Sequence, residues 1–217
     1  MKSKRAHAQK IMSMLKKAYP HVPSTFLAHK TTYQLLVATV LSAQCTDERV
    51  NKVTSELFRK YSKPPDFASA NQRELESLIR STGFYKAKAK NIKNAAKDIV
   101  EKFDGRVPKT MDGLTSLPGV GRKTANIILT AAYGMAVGIA VDTHVERLSK
   151  RMGLSAGRNP EAIEKDLMSL YPKTVWGDIN KVFITHGRIV CKAKNPGCGD
   201  CIISRICPQK GVKPTSK

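Results

Sequence analysis

Four cysteines fall within seventeen residues near the end of the chain: Cys191, Cys198, Cys201 and Cys207, spaced C-x6-C-x2-C-x5-C. This density points to a metal centre and away from disulfides. Pro196, Gly197 and Gly199 lie in the enclosed loops, where they are expected to let the backbone wrap closely around an ion or cluster. Thiolates suit zinc and iron–sulfur clusters alike, and the spacing leaves both open. Two bridged disulfides are the competing arrangement. Cys45 stands apart in an apolar region and reads as a buried small hydrophobe.

A second chemistry-bearing stretch runs from Leu114 to Ala125 and contains Leu117-Pro118-Gly119-Val120-Gly121-Arg122-Lys123-Thr124. A short apolar helix should end at Leu117, a tight turn should follow, and a second helix should begin near Arg122. Gly119 and Gly121 are expected to adopt conformations denied to other residues and to bring the backbone close to a ligand. The free N–H groups at the second helix's start would face a phosphate. It is not a Walker A loop, because Arg122 precedes Lys123, nor a dinucleotide fingerprint, because Thr124 replaces the third glycine. Helix–hairpin–helix, an element that grips DNA backbone without reading sequence, is its natural name. Lys123 stands in the first turn, where the helix's positive end disfavours the ammonium form, so desolvation would make the amine nucleophilic. A plain phosphate contact by Lys123 is equally compatible with the turn alone.

Nineteen residues later comes Val141-Asp142-Thr143-His144-Val145-Glu146. Asp142 is a good N-cap, and Thr143 to Glu146 has capping-box spacing. Capping alone would explain Asp142. A catalytic role needs it close to Lys123, which two antiparallel elements joined near Gly134 and Gly138 would permit. His144 and His186 lack ligand-like spacing and read as hydrogen-bonded structural groups.

The elements that must position these residues are helical. Ile11, Met14, Leu15, Ala18 and Tyr19 form one stripe of helical period, and Leu36, Val37, Val40 and Leu41 another. Further stripes run through Val50–Tyr61, Ile92–Phe103, Ile163–Tyr171 and Ile179–Val190. No stretch alternates with period two, so the fold class expected is all-α. Breakers such as Pro64-Pro65, Gly83, Pro118-Gly119, Gly153 and Pro172 separate the stripes, and Asn159-Pro160-Glu161 reads as a helix start.

The 217 residues carry 38 Lys and Arg against 17 Asp and Glu, a formal charge of +21. Such an excess repels itself in the compact state and suits a polyanionic partner, nucleic acid before an anionic membrane. The basic residues are scattered through the whole chain, so the body of the protein should do the binding. Lys86, Lys90, Lys93 and Lys97 form a helical strip that is DNA-facing or simply solvated. The apolar run from Ile127 to Val141 is too short to span a bilayer, and no secretory signal is expected at the basic start.

Taken together, the segments from Leu35 to Gln44, Leu117 to Asn126, Val141 to Val145 and His186 to Arg188, with the four cysteines, resemble the endonuclease III family. These are helix–hairpin–helix DNA glycosylases with AP lyase action and a [4Fe-4S] cluster, and the resemblance covers nearly the whole chain. It implies two helical lobes flanking a DNA groove. One, residues 25–134, would be a six-helix barrel lobe ending in the hairpin. The other, residues 1–24 and 135–217, would hold the iron–sulfur cluster.

By the same resemblance Lys123 is the nucleophile, Asp142 its acidic partner, and Cys191, Cys198, Cys201 and Cys207 bind [4Fe-4S]. Gln44 matches the residue that fills the gap left by a flipped nucleotide, and Phe84 stands where an apolar wedge is usually aliphatic. Gly119, Gly121, Arg122, Lys192 and Lys194 would contact DNA backbone. The link from Lys123 to Asp142 is one residue longer than in typical bacterial members. The expected activity is removal of oxidised pyrimidines and cleavage of the abasic site in double-stranded DNA, by a cytoplasmic or nucleoid-associated monomer. A glycosylase for mismatched thymine, uracil or adenine without lyase action is the nearest rival, disfavoured by Lys123. A non-catalytic DNA-binding redox sensor is another, disfavoured by Asp142.

Overall fold

The computed structural model describes residues 2–212, and among them no strand occurs. The chain divides into two compact units, Thr25–Gly134 and Met1–Ser24 with Met135–Lys217.

The unit formed by Thr25–Gly134 contains α2 (Thr32–Leu41), α3 (Asp47–Lys60), α4 (Pro64–Ser69), α5 (Gln72–Ile79), a 3₁₀ turn (Arg80–Thr82), α6 (Tyr85–Lys102), α7 (Met111–Thr115) and α8 (Arg122–Tyr133). Side chains of Thr31, Thr46, Asn71 and Thr110 accept backbone N–H groups at four of these helix starts, supplying donors' partners that helix ends otherwise lack. Pro64 opens α4 instead of breaking the chain there, since a first-turn proline has no helical N–H to lose.

The sequence stripe on α2 suggests one apolar face, but every residue from Tyr33 to Leu41 is buried. α2 packs against α3, α6 and α8, which leaves it no solvent side. Its polar members are satisfied within the core: Thr39 Oγ1 donates to the Leu35 carbonyl at 2.7 Å, and Gln34 Oε1 accepts from Lys30 N at 2.8 Å. Each buried Leu or Val here contributes about 1.5–3 kcal/mol. Val100, part of the α6 stripe, instead lies at the core's edge and is exposed.

The other unit contains α1 (Lys2–Ala18), α9 (Thr143–Arg151), α10 (Pro160–Leu170) and α11 (Lys173–Ile189). Ile11 and Leu15 of α1 share a core with Val145 and Leu148 of α9, Leu167 of α10, and Ile179 and Phe183 of α11. Arg5 Nε donates to the Ser169 carbonyl and Lys16 pairs with Asp178, tying α1 to α10 and α11. Asn159 caps α10 through Ala162 N at 2.9 Å, with Pro160 in the first turn. Among the described residues no helix is long and apolar enough to cross a membrane.

Candidate active site

The hairpin joins α7 to α8. α7 ends at Thr115, two residues before Leu117, and a turn carries the chain to Gly121, the residue before α8. Leu117 and Val120 are buried and anchor the turn from below. Gly119 has φ +79°, and a Cβ there would stand 2.8 Å from Asn91 Cβ of α6. Glycine is therefore required at 119 by conformation and by space. Gly121 differs from expectation. Its φ of −90° suits any residue, and a Cβ would meet nothing within 4 Å. As the N-cap of α8, Gly121 holds a position that glycine favours, and the space beside it is open to a ligand.

No side chain caps the start of α8, where Gly121, Arg122 and Lys123 are all exposed. The N-cap glycine of this twelve-residue helix offers no side-chain acceptor, and a helix start of this kind attracts anions. Lys123 stands at the second helical position on that surface.

Asp142, half-buried in the other unit, is the N-cap of α9, with Oδ1 accepting from Val145 N at 2.8 Å. The cap begins one residue before the predicted Thr143–Glu146 box, and the Glu146 carboxylate pairs with Lys150 instead. α8 ends at Gly134, whose left-handed φ of +65° closes the helix, and a non-helical link leads to Asp142.

The four clustered cysteines follow α11 and line a single cavity with Arg151, Met152, His186, Val190 and Ile203. None forms a disulfide. Burial pushes the thiols of Cys198, Cys201 and Cys207 up, and charge on neighbouring thiolates pushes them further. Among the described residues no group of three or more His, Cys, Asp or Glu side chains is already gathered as a metal-ion site. The thiols ring a void. Neither Gly197 nor Gly199 has a positive φ or a Cβ clash, so the expected tight wrapping does not depend on them; the left-handed residue in this loop is Asn195, φ +49°.

Two arginines on α9 hold this segment. Arg151 donates to Cys191 Sγ at 3.4 Å and to the carbonyls of Lys192 and Ala193 at 2.6 and 2.9 Å. Arg147 donates to the carbonyls of Gly187 and Cys191 at 3.1 Å. Lys192 and Lys194 are exposed on the loop so fixed. His186 bridges Tyr19 Oη at 2.9 Å and Cys201 Sγ at 3.5 Å, and His144 Nδ1 pairs with Arg147, so both histidines are hydrogen-bonded. Burial lowers His186 to about 4, which keeps it neutral.

Gln44 and Phe84 share an unusual backbone. Gln44, exposed between α2 and α3, has φ +54°. Phe84 precedes α6 with φ +47° and is 67% exposed, the most exposed large hydrophobic side chain among the described residues. Cys45, expected in the core, is only half-buried because it lies on this turn. In the α6 strip, Lys93 turns inward to the Ala70 carbonyl at 2.6 Å, while Lys86, Lys90 and Lys97 are exposed.

Residues 37–173 match the model of the HhH-GPD superfamily base excision DNA repair proteins. The endonuclease III of Synechocystis sp. is 51% identical over 208 residues, covering 96% of this chain and 94% of that protein. That of Bacillus subtilis is 44% identical over 92% of this chain and 90% of its own length. The chain belongs to the endonuclease III family. A solved structure of a trapped endonuclease III–DNA covalent intermediate, an estranged-adenine complex, resembles it with a TM-score of 0.89 and 42% identity, covering 94% of this chain and 96% of that one.

In this endonuclease III family member, sequence reasoning missed Arg147, Arg151 and Lys88. The arginines are spaced i, i+4 on α9, a pattern that also fits an ordinary solvated face. Lys88 lies between Lys86 and Lys90 in sequence but on the opposite, buried face of α6, and is only 5% exposed. Burial pushes its ammonium below the usual lysine range, while the Cys45 thiol acts in the opposite direction.

Proposed function

We propose that this base excision repair enzyme, a DNA glycosylase and AP lyase by family, removes oxidised pyrimidines from double-stranded DNA with Lys123 as attacking amine and Asp142 as acidic partner. The reading is supported chiefly by one observation: Lys123 is exposed in the first turn of α8, directly after a glycine N-cap. Backbone phosphates bind at Gly119, Gly121 and Arg122, together with Lys192 and Lys194, and the charge of +21 draws the polyanion in. A base inside a duplex is out of reach, so the damaged nucleotide is flipped out. Gln44 then fills the gap and Phe84 wedges the stack. Chromosomal DNA, and with it the cytoplasm, is where a monomer of this kind works.

The neutral Lys123 amine attacks C1′ of the sugar as the bond from C1′ to the base breaks. Positive charge develops on the sugar, and the Asp142 carboxylate stabilises it. The base leaves with the bonding electron pair and takes up a proton. Opening of the sugar ring gives a Schiff base between C1′ and Lys123. Loss of a C2′ proton then expels the 3′ phosphate, which cuts the strand. Because the amine is exposed in the free protein, the bound DNA itself excludes water from it.

Cys191, Cys198, Cys201 and Cys207 fit a [4Fe-4S] cluster. A single zinc would draw four sulfurs to about 3.8 Å of one another, given Zn–S bonds of about 2.3 Å. The four thiols line one cavity, and the family resemblance favours the larger cluster there. Bound there, the cluster supplies a rigid staple that holds Lys192 and Lys194 toward phosphate.

Borohydride trapping on duplexes with one oxidised pyrimidine tests the reading. Native protein should be trapped covalently. Lys123→Gln should lose trapping and nicking while retaining most damaged-DNA binding. Asp142→Asn keeps the N-cap, since asparagine caps as well as aspartate, yet should slow base release about 100-fold or more through loss of the charge. Normal turnover in Asp142→Asn would reduce Asp142 to a cap, and base release without a trappable adduct would place the protein among non-lyase glycosylases.

A further inference from the structure

We propose that Lys88 is the positioning residue that ties the Gln44 turn to the Phe84 turn, so that both side chains enter the opened base stack as one unit. This rests on the reading of Gln44 and Phe84 as the residues that occupy the gap. Lys88 Nζ donates to the Leu41 carbonyl at 2.8 Å and to the Thr82 carbonyl at 2.8 Å. Leu41 ends α2 three residues before Gln44, and Thr82 ends the 3₁₀ turn two residues before Phe84. One buried atom therefore joins the roots of two turns that are 40 residues apart in sequence.

The chemistry of the contact fits a brace better than filler. A buried ammonium carries a heavy desolvation cost that a leucine would not, so its retention needs specific partners. Both carbonyls are terminal groups that their own helices leave unbonded, and the end of α2 carries the negative pole that favours a cation. The residues beyond are held at φ +54° and +47°, conformations that persist only where surrounding structure over-determines them. One helical turn past Lys88, Asn91 abuts Gly119 of the hairpin. α6 thus sets the two turns and the phosphate-gripping hairpin against one rigid element.

A double-mutant cycle on a duplex with one thymine glycol tests this. The measured rate is single-turnover base release, and affinity for undamaged duplex serves as the control for folding. Residues that act as a unit are non-additive. In the native background, Gln44→Ala and Phe84→Ala combined should fall about fivefold or more short of the product of their single effects. In Lys88→Met, the two effects should simply multiply, with undamaged-duplex affinity kept. A merely structural lysine would lower every readout together and leave the coupling in place, which would overturn the proposal. If Lys88→Met does not fold, Lys88→Gln carries the test, because its shorter amide cannot span both carbonyls. Its coupling should be reduced, and unchanged coupling overturns the proposal. If Gln44→Ala and Phe84→Ala each release base at the native rate, it is the gap-filling reading that fails, whatever Lys88 does.

Discussion

The hairpin around Gly119 and the thiol segment after α11 both expose backbone and lysines, but they are held in different ways. The hairpin is set by ordinary packing. Leu117 and Val120 are buried, Gly119 fits against Asn91, and α8 follows directly. The thiol segment has almost no regular structure from Cys191 to Val212. It is held by short backbone turns, by Ile203 in the core, and by Arg147 and Arg151. The first region needs only the polypeptide to be formed, whereas on the proposed reading the second depends on a cluster held by its four sulfurs.

The strongest way to break this contrast is to remove the proposed cluster. Cys198→Ser, or chelation of the iron after mild oxidation, should abolish absorbance near ~400 nm, a band that zinc lacks. Limited proteolysis should then cut within 191–212 while leaving 25–134 intact. Zinc without iron by elemental analysis would overturn the cluster assignment, and uniform digestion would overturn the contrast.

A smaller effect is expected at the hairpin. Gly119→Val introduces both a left-handed φ and a clash with Asn91, and should lower stability by about 2–4 kcal/mol. Gly121→Val meets open space and should cost much less, about 1 kcal/mol for the poorer N-cap. It should still weaken binding to all duplex sequences alike if, as proposed, the turn meets phosphate and not base edges. Equal melting temperatures for the two variants would show that the hairpin is not packed as described.

Smaller again is Arg151→Met, which removes hydrogen bonds to Cys191 Sγ and two carbonyls. The protein should fold with its cluster, but bleaching of the ~400 nm band by oxidant should be about tenfold faster. The mildest change is Asp142→Ala, which loses the α9 cap and should cost about 1 kcal/mol in urea unfolding. Asp142→Asn should cost nothing measurable there, which separates stability from the catalytic effect.

Local signals in the chain were sufficient for much of this. The start of α8 at Arg122, Asp142 as a cap and the Asn159-Pro160 helix start each depend on a few adjacent residues. What depended on tertiary surroundings was hidden. α2 reads as amphipathic because its neighbours are invisible in a one-dimensional pattern, yet it is buried all round. Lys88 counts as a surface charge until two distant carbonyls are seen to meet it. Gly121 looks like a conformational glycine, and only its φ of −90° shows otherwise. Arg147 and Arg151 acquire a role only when the thiol segment folds back beside α9.

The exposed ring of Phe84 has a consequence for the protein in storage as well as at work. An aromatic side chain 67% open to water is a point of self-adhesion between molecules. At +21, two copies repel each other before their rings can meet. The same charge that recruits DNA therefore acts as a colloidal shield. Concentrated salt or substoichiometric polyanion strips that shield away, and turbidity should then appear first where the protein is most nearly neutralised, with Phe84→Ser slower to cloud.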